Sequence, residues 1–372
     1  MVDEDVARIL KIYSEIAFKP PPAQYTVAAA FFLVSPFSPS LKVISLATGT
    51  KCLPTSRYPL KGEALHDSHA EVVARRGAIR WFLEEIGRCE APSGYVSSWI
   101  KRDNEKAERY GLREGVQVSL YVSTVPCGDA SMRFLASVQD EEMAALKDST
   151  VYAPLGVNEA SRGRDNYARL GVLRTKPGRA DSPQTQCEVP LEMRDIVRED
   201  CERALWGRLS SMKEWCPPFM LHTPEIKFTT HPFIHSRTVI ESNGVSSNGS
   251  CNEALSWIAD STPSSEVLIN GLRRGVSPKH RFRTKARPRL SKIAMLSLHS
   301  ETLEAFGLEP LQPSTTYHAA KSAQSESLYK ATKDMLLGPQ GAFSGWVRSG
   351  KAWQDFNLYQ RSPVGGSIKT LP

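Results

Sequence analysis

The sequence predicts an α/β fold, a mixed sheet flanked by helices within a single domain. Three observations lead there. Stretches with the two-residue alternation of strands are interleaved with stretches of helical period. At 65–70 and again at 122–131, strand-like residues run directly into a helix start. Across 372 residues there is no internal repeat and no linker clean enough to mark a second domain.

Residues 4–17 read as an N-terminal helix, with Val6, Ile9, Leu10, Tyr13 and Ile16 at helical spacing. "YTVAAAFFLVS" and "SLKVISLATG" read as two strands around the turn "PFSPS". "LHDSHAEVVARRGAIRWFLEEIG" (65–87) is an amphipathic helix with Val72, Ile79, Leu83 and Ile86 as the expected buried stripe. The charged passage at 99–115 reads as a surface insertion or a loop-flanked helix. In "VQVSLYVSTVPCGDASM", Val116, Val118, Leu120 and Val122 alternate with polar or aromatic residues, and Pro126 ends the strand for want of an amide hydrogen. Residues 154–190, rich in Gly, Pro, Arg and Ser, read as a long loop. A helix is expected across 189–210, then two strands separated by a polar loop within 228–260, and a strand and turn at 266–276. Helices at 291–306 and 316–337 close the chain.

The balance of 41% hydrophobic and 23% charged residues is that of a globular protein with a real core. No window approaches the roughly 18 apolar residues of a membrane helix, and "VAAAFFLV" at 27–34 is too short. The acidic start "MVDEDVARIL" lacks the basic flank of an export signal. Seven irregularly spaced cysteines fit a reducing compartment better than a disulfide framework, so an intracellular protein of nucleus or cytoplasm is expected. A net charge of +7 favours a polyanionic partner.

His69 and Glu71 stand two apart at the mouth of the 65–87 helix, and two readings are open. Ser68 and Glu71 have the spacing of a capping box, which would make Glu71 structural. Alternatively, H-x-E pairs a metal-binding imidazole with a carboxylate that moves protons. Pro126-Cys127-Gly128 offers a thiolate at a second strand-to-helix junction, where a helix dipole would stabilise it. H-x-E followed by P-C-x-x-C is a signature of zinc nucleobase deaminases. Here Ala130 replaces the second cysteine, so a further ligand must come from elsewhere. His231 and His235, four apart among strand-like residues, read as ordinary.

At this point the sequence resembles the A-to-I RNA-editing deaminases, specifically the ADAR-like tRNA adenosine deaminases. The resemblance rests on "LATGTKC" (46–52), "HDSHAEVVARR" (66–76), "YVSTVPCGDAS" (121–131), "LRTKPGR" (173–179), "LSWIAD" (255–260), "RPRLSK" (287–292) and "YHAAK" (317–321), all in family order. "RTKPGR" is similar to the tRNA-acting branch. The resemblance implies a cytidine-deaminase-like core at about 26–358, with a zinc site at helix N-termini. It implies that His69, Cys127 and a remote cysteine hold zinc, and that Glu71 transfers protons during hydrolytic attack on C6 of a flipped-out adenosine. The implied substrate is the adenosine 3′ of the anticodon in alanine tRNA, bound without a protein partner or membrane.

The resemblance further implies a buried inositol hexakisphosphate. Lys51, Arg75, Arg76, Lys292, Tyr317, Lys321 and Trp346 match its pocket, although Arg75 and Arg76 would also suit a solvated helix face. In the family a Ser-Cys-Ser-Asp-Lys block, a helix and a strand follow the "RTKPGR" region. Here the match resumes at Glu188, as though about 30 residues, one strand-helix unit, were missing at 187/188. Cys187 at the edge of that gap becomes the expected third ligand. The expected alternative is an impaired RNA-binding member lacking a complete zinc site, with a longer product of the gene as the working enzyme.

Overall fold

A six-stranded sheet, with the helix Ala70–Glu90 packed against two of its strands, positions the His69 and Glu71 pair singled out above. The computed structural model describes residues 2–103, 109–137, 189–210, 212, 215, 219–281, 283–323, 328–344 and 350–359. Contacts group them into two compact units. One comprises Met1–Ala29, Tyr121–Cys251 and Ser322–Arg348, the other Ala30–Leu120, Asn252–Lys321 and Ser349–Pro372.

The elements in chain order are α1 (Val2–Glu15), β1 (Ala28–Ser35), β2 (Ser38–Thr48), α2 (Ala70–Glu90), β3 (Ile100–Arg102), β4 (Tyr110–Leu112), β5 (Gln117–Val122) and α3 (Met132–Ser137). There follow α4 (Arg194–Leu205), α5 (Arg237–Ser242), β6 (Glu253–Ile258), β7 (Ser265–Ile269), β8 (Leu272–Arg273), α6 (Lys292–Ala305), α7 (Tyr317–Ala323) and α8 (Leu328–Leu337).

The sheet runs β5-β1-β2-β6-β7-β8. β2 and β6 pair antiparallel, with Leu46 opposite Trp257, and β7 and β8 continue the antiparallel meander. Val43, Ile44, Leu46, Ala47, Leu255 and Ile258 are buried, which is what commits β2 and β6 to the centre of the sheet.

α2 crosses β2 closely. A Cβ on Gly77 would lie 2.1 Å from Ser45 Oγ, so any larger residue there must displace the Ser45 hydroxyl. The buried face is therefore Ala70, Val73, Ala74, Gly77, Ala78 and Trp81, whereas Ile79, expected inside, is 37% exposed. Trp81 Nε1 donates to Asp260 at 3.0 Å, and Lys42 Nζ donates to the same carboxylate at 2.9 Å, pinning the helix to the end of β6.

β5 departs from expectation too. Val116 is buried, but Val118 is 44% and Leu120 48% exposed, while Tyr121 lies inside. β5 is an edge strand of the sheet, where alternation alone does not say which face is covered.

Two stretches are corrected outright. Among its described residues the passage at 99–115 forms no helix but the antiparallel pair β3 and β4, with Lys101 opposite Gly111. Within 228–260, the first expected strand is absent and α5 stands in the second half of it, with Ser236 Oγ capping by accepting from Val239 N. The reason is local. Asp3 at the start of α1 accepts hydrogen bonds from Thr229 Oγ1 at 2.6 Å and from the Thr230 amide at 3.0 Å, which takes the chain out of strand geometry. Tyr13 of α1 contacts the Phe233 ring and hydrogen-bonds His235 Nδ1 at 2.7 Å, so His235 is a structural residue.

In the same unit, α4 packs Val197 and Cys201 on Val125, Ala130 and Phe134. Ions reinforce that contact. Asp200, 0% exposed, accepts from Arg133 Nε at 2.7 Å, the Arg133 amide at 3.1 Å and Arg203 Nη1 at 2.5 Å. Arg203 also reaches the Asp129 carbonyl at 3.0 Å, and Arg208 closes on the Asp129 carboxylate. The expected loop at 154–190 lies almost wholly outside the described residues.

Candidate active site

The chain enters α2 through a locked backbone. The Leu53 amide donates to the His66 carbonyl at 2.7 Å and the Ser68 amide to the Lys51 carbonyl at 2.9 Å, so 51–53 and 66–68 lie side by side. Cys52 and Asp67 form an antiparallel bridge within this ladder. The Ala70 amide then donates to the Gly49 carbonyl at 3.1 Å. A Cβ on Gly49 would sit 1.9 Å from the Ser68 carbonyl oxygen, so the approach requires glycine.

This geometry decides between the two readings of H-x-E. The N-cap of α2 is His69, and no side chain caps the helix. Asp67 instead accepts the His69 amide at 2.9 Å. Glu71 interacts with its own amide and does not reach back to residue 68. The capping box is absent, and Glu71 is left half-buried at the first turn. Burial raises its carboxyl above the usual range, partly offset by that amide and by His69.

The His69 ring meets two partners. Nδ1 lies 2.7 Å from Asp67 Oδ1 and 3.6 Å from Cys52 Sγ. Burial alone would lower the imidazole, but its bonds to Asp67 and Cys52, and their charges, carry it up to about 10. Those bonds likewise hold Asp67 below the usual carboxylate range against its own burial. Such a pocket is built to receive positive charge. Ligand atoms of Cys52, Asp67 and His69 all lie within 4.8 Å of one another, a sulfur, nitrogen and oxygen set of the kind zinc takes. Neither Cys52 nor Asp67 was assigned a role from sequence. The one signal available was their place inside "LATGTKC" and "HDSHAEVVARR".

Cys127 belongs to the other unit and is exposed. A 3₁₀ helix at Asp129–Ser131, with Gly128 as its N-cap, runs directly into α3 at Met132, so Cys127 stands just before a helical N-terminus as the sequence implied. Cys187 lies outside the described residues, as does Trp346.

Four of the seven residues matched to the polyphosphate pocket come together. Arg76 Nε donates to the Leu290 carbonyl at 2.7 Å, and Lys292 Nζ reaches the Trp353 carbonyl at 3.4 Å. Tyr317 stacks on Phe356, and Lys321 Nζ lies 5.4 Å from the Tyr317 ring centre. Burial, then the charges of Arg76 and Lys321, push Lys292 down to about 8. His66, stacked on Tyr58, has a buried Nε2 with no hydrogen-bond partner. Burial, with Lys292 and Arg76 beside it, takes its pKa down to about 4. Lys51 and Arg75 are exposed. No helix of the described residues is long and apolar enough to cross a membrane.

The adenosine-deaminase (editase) domain family matches this chain over residues 45–175 and 189–350, an interval broken where Cys187 stands. Similar proteins include tRNA-specific adenosine deaminase 1 of Saccharomyces cerevisiae, 40% identical over 146 residues, covering 38% of this chain and 36% of that one. In that alignment the chain spans about a third of its relative's length. The protein of the same name from Schizosaccharomyces pombe is 28% identical over 69% of this chain and 72% of its own. That of Drosophila melanogaster is 25% identical over 91% and 92%. The Drosophila alignment runs to 382 residues, more than the share of this chain it covers, so the relative has stretches without a counterpart here. With both matched stretches together taking in most of its length, the chain belongs to the adenosine-deaminase (editase) domain family.

Proposed function

We propose that the chain deaminates adenosine to inosine hydrolytically in tRNA, at the adenosine 3′ of the anticodon in alanine tRNA. The observation that carries this is Glu71. Its carboxylate is half-buried, not used as a helix cap, and two residues from an imidazole in a pocket that favours a cation. The names of the relatives support tRNA as substrate. An unpaired loop base suits the chemistry because extruding it is cheap.

In this reading His69 and Cys127 hold zinc together with a third side chain. Zinc, when bound, lowers the pKa of water towards roughly 7 and so supplies the nucleophile. With the metal bound, Glu71 would take one proton from the attacking water and pass it to the purine ring nitrogen, then carry the remaining hydroxyl proton to the amine, which leaves as ammonia as the C6 carbonyl forms. A carboxyl raised by burial serves both directions: its carboxylate is a stronger base for taking the water proton, and its pKa lies closer to neutral, where it can both hold and pass on that proton.

The buried cations support a polyphosphate ligand. Burial depresses Arg76 and Lys292, the charges of Arg76 and Lys321 depress Lys292 further, and the unpartnered His66 Nε2 lies in the field of Lys292 and Arg76. Inositol hexakisphosphate would supply the missing negative charge. We also infer that the two units are parts of one editase domain, because the family match runs through both. We further propose an intracellular location, nucleus or cytoplasm, on the irregular spacing of the seven cysteines.

A break in the match at 176–188 supports the reading that a segment is missing at 187/188. It also favours a second reading, an impaired member with an incomplete zinc site. Incubating the 372-residue protein with an alanine tRNA transcript and mapping inosine separates them. Inosine formed by the wild type and not by Glu71→Gln supports the enzyme. Tight tRNA binding without inosine, with less than one zinc retained after saturation with the metal, supports the impaired member.

A further inference from the structure

We propose that residues 273–289, between β8 and α6, form a basic arm that grips the phosphate backbone of the tRNA, with Lys279, Arg283 and Lys285 making the contacts. The choice of tRNA as partner rests on the functional reading above. The arm itself rests on where the chain keeps its charge.

Residues 273–289 hold eight Lys or Arg, with His280 besides, and no Asp or Glu. The whole chain has 47 Lys and Arg against 40 Asp and Glu. Without the arm the balance is 39 against 40, so this one stretch accounts for the net charge of +7. An ordinary solvated surface intersperses both signs. A stretch of one sign in an otherwise neutral chain is the electrostatic footprint of a polyanion.

The ion pairs of the arm sit at its two ends. Arg274 Nη1 donates to Glu253 at 2.9 Å, and Arg273 lies 3.7 Å from Glu266. At the other end Arg289 lies 3.3 Å from Glu84, and its amide donates to Glu266 at 2.9 Å. Between them Lys279, Arg283 and Lys285 are exposed, and none has a carboxylate partner among the described residues. The ends are anchored and the middle is left charged.

Backbone bonds hold that middle in shape. The His280 amide donates to the Ser277 carbonyl at 2.9 Å, the Arg283 amide to the His280 carbonyl at 3.0 Å and the Ala286 amide to the Arg283 carbonyl at 2.8 Å. Arg273 Nη1 donates to the Lys285 carbonyl at 2.8 Å and ties the arm back to its root. Cations presented from such turns bind without first ordering the backbone.

The root of the arm lies against the segment that enters α2. The Leu65 amide donates to the Gly271 carbonyl at 2.8 Å, and a Cβ on Gly271 would lie 2.1 Å from the Leu65 carbonyl oxygen. Four residues beyond Leu65 is His69, in the same compact unit as the arm. A backbone gripped here is held next to the segment that presents His69 and Glu71. Phosphate contacts fix orientation and carry no base identity, so the arm positions the tRNA and does not select it.

The test reads binding by the full chain, from the anisotropy of labelled alanine tRNA between about 50 and 200 mM salt. Wild type is compared with the arm variant Lys279→Ala, Arg283→Ala, Lys285→Ala. A control variant, Arg8→Ala, Lys11→Ala, Lys19→Ala, removes as many exposed cations elsewhere. The arm variant should bind on the order of 100-fold more weakly at physiological salt, and its slope of log affinity against log salt should fall by about two to three. A non-cognate tRNA should lose the same factor. Equal losses in the arm and control variants, or an unchanged slope in the arm variant, overturn the proposal. So does arm-dependent binding to phosphatidylserine vesicles with tRNA affinity unaltered.

Should the arm variant fail to fold, lysine acetylation of the wild type decides: tRNA must protect Lys279 and Lys285, and equal labelling with and without tRNA overturns the proposal. Inosine formation keeps the two hypotheses apart. Arm-dependent tRNA binding with no inosine from wild type sinks the deaminase reading and leaves the arm standing. Inosine from wild type with full tRNA affinity in the arm variant does the reverse.

Discussion

Removing the Asp200 carboxylate should loosen the turn that follows Cys127. Asp200 is fully buried and accepts three hydrogen bonds, from Arg133 Nε, the Arg133 amide and Arg203 Nη1. Charge-assisted bonds contribute about 1.5–3 kcal/mol each, which would give several kcal/mol in sum. Two facts reduce it. Arg133 is 38% exposed and keeps Glu199 and the Ile196 carbonyl, while Arg203 keeps Asp129. Neither arginine is stranded, so the cost of Asp200→Ala should be about 3 kcal/mol, at the low end for a broken buried pair. In urea, the transition that reports α4 should move down by roughly 1 M, for a slope of about 3 kcal/mol/M. Tryptophan fluorescence of Trp206, next to α4, follows it. Asp200→Asn, which retains acceptor geometry, should lose less than half as much. A shift below about 0.3 M for Asp200→Ala would mean that apolar packing of Val197 and Cys201 alone holds α4, and would refute the ionic account.

Glu71→Gln should lower kcat by roughly 10²–10⁴-fold while zinc content and tRNA binding stay near wild type, as measured by metal analysis and filter binding. His69→Ala should lose zinc and activity together; a full zinc equivalent in that variant would contradict its role as a ligand. Affinity for tRNA should fall steeply between 50 and 200 mM salt, by roughly 10³-fold or more for six or more phosphate contacts.

Inositol hexakisphosphate should raise the melting temperature more at pH 7 than at pH 9. Lys292 is pushed down to about 8, so it is charged below that pH and loses its charge, and its hold on the anion, above it. Without anion the sign reverses. A lysine depressed in the fold binds fewer protons than in the unfolded chain between about 8 and its ordinary value, so this residue favours folding increasingly as pH rises through that window. Equal melting shifts at both pH values would remove Lys292 from the pocket.

What the sequence made legible, and what it hid, follows from how local each feature is. The pairing of His69 with Glu71 needs only two residues of chain, and the helix that presents them has a strong period. Its buried face was read one position off. Val72, Ile79, Leu83 and Ile86 are apolar at helical spacing, but the buried face is Ala70, Ala74, Gly77 and Ala78 with Val73 and Trp81, and Gly77 against Ser45 has no signature in hydrophobicity. "FTTHPFI" has the composition of a strand, yet the Asp3 carboxylate from the far end of the chain competes for its backbone. Cys52 escaped notice for the same reason. Its approach to His69 is made by a loop that leaves the sheet at Gly49 and folds back on itself, and no spacing rule encodes that return.

The contact of Gly49 with Ser68 has a genetic consequence. Every missense change at a glycine codon installs a Cβ, and here any Cβ lands 1.9 Å from a backbone oxygen of the segment that carries His69. Backbone does not swing aside as a flexible side chain would. The position therefore offers no graded series of alleles. Substitutions there should behave alike, whatever their polarity or size, and a screen for loss of function should recover all of them in one class.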